Sequence, residues 1–97
     1  MTPLSEEAKE LLRDAILMQL NSARNDQKNI GRRIDSLHVG VKLAGFQTLE
    51  KTELAKQLRY LESHGMIERE DKQISKSVDI YMITQAGIAY LDEQGLA

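Results

Sequence analysis

The chain has 97 residues, of which 41% are hydrophobic and 29% charged, with one proline, six glycines and no cysteine. That length supports one small core and no second domain, and the absence of cysteine removes disulfides, thiolate nucleophiles and Cys-ligated zinc together. A net charge of −2 gives no overall attraction to polyanions. No segment approaches the roughly 18 apolar residues of a membrane span, and the polar, acidic start MTPLSEEAKE is unlike a signal peptide, so a cytoplasmic protein without membrane attachment is expected.

The first strong pattern is LSEEAKELLRDAILMQL. Ser5 ahead of Glu6 and Glu7 marks a helix start, with a hydroxyl to cap free amides and two carboxylates at the positive end of the dipole. Ala8, Leu11, Leu12, Ala15, Ile16 and Leu20 recur at i, i+3, i+4 spacing and predict a core-facing stripe, so a first helix covers about residues 5–21. Leu17 and Met18 fall off that stripe and offer a seam for a second copy of the chain. The stretch RNDQKNIGRR that follows reads as a surface connection, and it carries Arg24, Lys28, Arg32 and Arg33 against Asp26 alone.

Ile34, Leu37, Val41 and Ala44 restore helical spacing, with Gly45 where a left-handed residue usually closes a helix. They predict a second helix over about 33–44, weakened by Gly40 and the β-branched Val39 and Val41. In TLEKTELAKQLRYLESHGMI, Thr48 stands as a cap; Leu54, Ala55, Leu58 and Leu61 form an inner stripe, and Gly65 stops a third helix of about 49–64. At about 100° per residue, Thr52, Lys56, Arg59 and Ser63 point away from that stripe, flanked by Glu53 and Tyr60.

Beyond Gly65 the period changes to two. Ile67 begins one strand, and Val78, Ile80 and Met82 alternate with Asp79, Tyr81 and Ile83 on another, giving a hairpin over about 66–84 with a polar tip. In IYMITQAGIAYL the strand pattern ends at Thr84, an N-cap hydroxyl, and helical spacing takes over at Ala86, Ala89 and Tyr90. A closing helix of about 85–94 is expected to return Ala89 and Leu91 to the core. The order α-α-α-β-β-α in a single domain, 1–97, is mainly α with a small β-hairpin (α+β), the layout of a winged helix-turn-helix. A lone hairpin is marginal in water, so it must lie against the helices.

Two stretches carry a family likeness. Leu58, Leu61, Gly65, Met66 and Ile67 match a Leu-x-x-Leu-x-x-x-Gly-hydrophobic-Ile run, and Tyr81, Ile83, Thr84 and Gly87 match Tyr-x-Leu-Thr-x-x-Gly, with Ile83 in place of the commoner Leu. Over about residues 30–92 the chain resembles the winged-helix repressors of the MarR-like, PadR-like and ArsR-like kinds, and in size and pattern it resembles small phage-encoded winged-helix proteins. The resemblance implies a sequence-specific, double-stranded-DNA-binding transcription regulator. It would insert the 49–64 helix in the major groove, with Thr52, Lys56 and Arg59 as readers and Lys51 and Tyr60 at the edges. It also implies wing contacts from Arg69, Lys72 and Lys76, a phosphate held near Thr48, and a homodimer.

Charge pulls the other way. Glu50 and Glu53 lie in the first turns of the proposed recognition helix, and Arg69, Lys72 and Lys76 are outweighed by Glu68, Glu70, Asp71 and Asp79 in the hairpin. The competing expectation is therefore a winged-helix adaptor that binds a protein partner and no DNA. An enzyme is not expected, because no phosphate loop, metal set or nucleophile with a base stands at a recognisable spacing. Asp35 with His38 reads as a polar pair on one helix and not as a metal site. No cofactor is expected.

Overall fold

The structure is a computed structural model that describes residues 4–24, 31–69 and 80–96. Its elements follow as α1 (Glu6–Arg24), β1 (Arg32–Arg33), α2 (Ile34–Leu43), α3 (Lys51–Ser63), β2 (Ile67–Arg69), β3 (Ile80–Ile83) and α4 (Gln85–Gln94). Among the described residues the strands form one antiparallel sheet of order β1-β3-β2. Ile67 lies opposite Ile83 and Arg69 opposite Tyr81, while on the other edge Arg33 lies opposite Ile80. The mainly α architecture with a hairpin is thus the one the sequence predicts, with one addition. β1 has no counterpart in the sequence pattern, since Arg32 and Arg33 sit in a stretch that reads as surface connection, and two residues are too few to show a period.

Several helix ends are explained by local chemistry. The Ala8 amide donates to the Ser5 hydroxyl at 3.1 Å, so the first turn of α1 is capped as its sequence suggests. The Thr84 hydroxyl accepts from the Gly87 amide at 3.2 Å and itself donates to the Gly65 carbonyl at 2.6 Å, which ties the start of α4 to the end of α3. At that end Gly65 takes φ 73°, and the Met66 and Gly65 amides donate to the Leu61 and Glu62 carbonyls. This double closure satisfies carbonyls that would otherwise be orphaned. Thr48 does not cap α3. The chain makes a further turn after Gly45, and Glu50 occupies the N-cap position with no side-chain bond to the helix amides.

The core is built from Leu12, Ile16, Leu17 and Leu20 of α1, Leu37 and Val41 of α2, Leu54, Leu58 and Leu61 of α3, and Ile67, Tyr81, Ile83 and Leu91 around the sheet and α4. Two expectations for α1 are reversed. Leu17 is buried, and Leu11, assigned to the inner stripe, is 60% exposed. The reason is that α1 touches α2, α3, β3 and α4, so its buried arc is displaced and wider than one stripe. Ala89 likewise points outward, while Leu91 is buried. Gly87 is where α4 meets the sheet: a β-carbon there would run into the Met66 carbonyl and come within 2.7 Å of Ile83 Cγ1. A further tie crosses the core edge, where the Tyr90 hydroxyl donates to Asp14 Oδ1 at 2.7 Å. That bond, together with burial, pushes the phenol up to about 12. Among the described residues no helix is long and apolar enough to cross a membrane.

Candidate nucleic-acid interface

α2 and α3 are joined by residues 44–50, and the sheet packs beside α3. The linker is held by His38, whose Nε2 lies 2.7 Å from the Leu49 carbonyl; since a carbonyl only accepts, that nitrogen carries the proton. With Leu54, Leu58 and Leu61 buried, the opposite side of α3 carries Thr52, Lys56, Arg59 and Ser63, all exposed. Helical spacing puts them on one strip about three turns long. Among the described residues, no hydrogen bond or ion pair engages the side chains of Thr52, Lys56 or Arg59.

The other proposed contact residues are placed differently. Lys51 forms an ion pair with Asp35 of α2, and the Lys51 ammonium beside Asp35 holds its carboxyl below the usual carboxylate range. Arg69 donates from Nε to Glu62 Oε2 at 2.8 Å, so its charge is drawn back onto α3 at the base of the hairpin. Thr48 is exposed in the turn ahead of α3. Tyr60 is turned toward α1: the Arg13 guanidinium carbon lies 3.7 Å from its ring centroid, and His64 stacks on it with centroids 4.1 Å apart. Lys72 and Lys76, with the hairpin tip, lie outside the described residues, as does Lys28.

One of the two carboxylates that oppose an anion is displaced from the strip. Glu53 is half-buried and its Oε2 is a buried atom with no hydrogen-bond partner among the described residues. Glu50, at the N-cap, stays exposed and keeps its charge near the start of α3. Arg33, the N-cap residue of α2, is exposed as well, and Arg32 donates to the Ser36 hydroxyl at 3.4 Å. Sequence reasoning missed this short basic strand as an element of the sheet, and it missed Arg13 altogether. A pairing of α1 with α3 across 44 positions has no local signal.

Among the described residues, four helices, a three-stranded sheet and a polar strip on the second helix of a helix-turn-helix define a winged helix-turn-helix protein. The fold is similar to the crystal structure of a zinc-responsive MarR family member, ZitR of Lactococcus lactis, with a TM-score of 0.61 and 15% identity. The match covers 97% of this chain and 53% of that one, so this chain spans about half the length of that neighbour. No protein-family model and no curated protein matches the sequence. The likeness establishes the fold. What the exposed strip does is a separate question.

Proposed function

We propose that this protein is a DNA-binding transcription regulator that lays the outward strip of α3 in the major groove. The carrying observation is the contrast among its cations: Lys51 and Arg69 are consumed by carboxylates of the same chain, whereas Lys56 and Arg59 are exposed beside Thr52 without a partner among the described residues. A B-form major groove admits one α-helix, and Lys or Arg there meets guanine edges or phosphates. Thr52 would approach base edges and Arg33 the backbone, while Thr48 lies beside the entry of α3 and Lys72 and Lys76 would complete the wing. Tyr60, 39% exposed with its ring between Arg13 and His64, would stand at the edge of the strip.

The reading is tested by titrating labelled random-sequence duplex with the protein at about 50 and 200 mM salt. Wild type is expected to lose affinity steeply with salt, and replacing Lys56 and Arg59 by Ala is expected to flatten the slope by about one per lost phosphate contact. Equal inertness of wild type and variant would remove the reading.

A second reading has its own observation. Leu11 is 60% exposed and Met18 43% exposed, and they border a groove of about 540 Å³ lined by Ala15, Ala44, Phe46 and Leu96. Such a face suits a protein contact. In the regulator reading it would join two copies along α1, so that two α3 strips face half-sites about 34–36 Å apart; in the adaptor reading it would take a different protein. Sedimentation of the purified protein distinguishes a pair of copies from a monomer, and salt sensitivity distinguishes DNA from protein as the main partner.

A further inference from the structure

Arg13 belongs to α1, yet it holds α3 at two points. Its Nε donates to Gln57 Oε1 at 2.8 Å, and its guanidinium carbon lies 3.7 Å from the Tyr60 ring centroid. His64 stacks on the same ring, with centroids 4.1 Å apart and planes 22° apart. A guanidinium and an imidazole that both lie within about 4 Å cannot share one face of a phenol without overlapping, since non-bonded carbons need about 3.5–4.0 Å. The ring is therefore clamped between them. The outer jaw is fixed by backbone: His64 Nδ1 and the Ser63 hydroxyl both donate to the Tyr60 carbonyl, each at 2.8 Å.

The inner jaw has an unusual footing. Gln57 is 5% exposed, the sole buried polar side chain among the described residues, and Arg13 meets its carbonyl oxygen. Apolar packing by Leu54, Leu58 and Leu61 seats α3 on the core, but hydrophobic contact is non-directional and cores lose uniqueness of packing before they lose stability. A hydrogen bond and a guanidinium-ring stack are directional. They fix how far α3 is rolled about its own axis, which burial alone leaves loose.

Roll matters because Lys56 and Arg59 are the chain neighbours of Gln57 and Tyr60, each about 100° round the helix. For side chains reaching about 6 Å from the axis, a roll of about 15° displaces the charged ends by about 1.6 Å. That exceeds the tolerance of a hydrogen bond to a base edge. It matters little for attraction to phosphate, which depends on charge more than on angle. A cavity of about 310 Å³ bounded by Arg13, Tyr60, Leu61, Met66, Tyr90 and Gln94 leaves the ring room to swing once the guanidinium is removed.

We propose that Arg13 is a positioning residue for sequence recognition: through Gln57 and Tyr60 it sets the roll of α3 and thereby the register of Thr52, Lys56 and Arg59 on the base edges. This rests on the DNA-binding reading. It assigns to a side chain on α1 a share of specificity without contact to DNA.

The test starts from a duplex selected by the wild-type protein from a random pool, with a scrambled duplex of the same length as control. Affinities for both, at two salt concentrations, are compared for wild type, Arg13→Met and Arg13→Lys, alongside thermal melts and the Tyr60 ring and Gln57 amide resonances. Arg13→Met keeps an apolar stem and is expected to lose about tenfold of the selected-to-scrambled ratio. Its salt slope should be unchanged and the protein still folded at the assay temperature. Arg13→Lys, which keeps a cation near the ring and loses the fork, should fall between. An unchanged ratio overturns the proposal, and so does a parallel loss on both duplexes that follows the unfolded fraction, since that is a merely structural effect. If wild type selects no duplex, the DNA reading fails and the register claim with it. The clamp is then judged separately by the Tyr60 and Gln57 resonances, which must move in Arg13→Met if the clamp exists.

Discussion

The two sides of α3 and its two margins use the same residue types to different ends. Inward, Leu54, Leu58 and Leu61 are at most 1% exposed and join the helix to α1, α2 and the sheet. At the margins, the cations Lys51 and Arg69 are neutralised by Asp35 and Glu62. Along the outward strip, Lys56 and Arg59 stand beside no carboxylate that pairs with them among the described residues. This contrast marks where the molecule keeps charge for use outside itself. A paired surface cation has already met its anion, and among the described residues the unpaired strip, with exposed Arg33 and Lys42 at the two ends of α2, keeps charge to offer a polyanion.

The inward side gives the largest expected effect. Leu58→Ala should cost about 3 kcal/mol, because a fully buried leucine is replaced by a cavity; a urea midpoint unchanged within error would show that α3 does not sit on the core as described. Next comes the seat of α4. Gly87→Ala drives a β-carbon into the Met66 carbonyl, and a loss of about 2 kcal/mol is expected from the backbone shift it demands.

The outward strip should behave in the opposite way. Replacing Lys56 and Arg59 together by Ala is expected to change stability by less than about 0.5 kcal/mol, while lowering the salt slope of duplex binding by about two. Stability and binding thus separate on opposite sides of one helix, and a melt that falls as far as the Leu58 variant's would erase the contrast.

The smallest effect belongs to the margin and sharpens the comparison. Asp35→Asn releases Lys51, and a two- to threefold gain in duplex affinity at low salt is expected if only pairing withholds that cation, on the order of a single exposed ion pair. In the folded protein the Asp35 carboxyl is held low by Lys51. The pair therefore contributes stability above the ordinary carboxylate range and loses it as pH falls through the depressed value. Wild type and Asp35→Asn should accordingly converge in stability at acid pH and differ slightly above it.

Much of this arrangement is legible in the sequence, for a reason visible in particular residues. Ser5, Gly65 and Thr84 act on amides and carbonyls within a few positions of themselves, so their roles follow from spacing. The outward strip of α3 is legible as well, because helical periodicity alone places Thr52, Lys56 and Arg59. The rest depends mostly on partners far along the chain. Leu17 looks like a seam residue until α1 is seen to touch four other elements. The Arg13 guanidinium against the Tyr60 ring joins α1 to α3 and has no local signal. Thr48 fails as a cap because the linker takes another turn before Glu50, and β1 is too short to announce itself.

The central claim is that the outward strip of α3 is the surface that meets DNA. It is tested most directly by following backbone amide resonances during titration with a selected duplex. Perturbations concentrated on residues 51–63 and at Arg33, with the α1 groove at Leu11 and Met18 left in place, are the predicted result. Perturbations centred on that groove, with 51–63 unmoved, would contradict it.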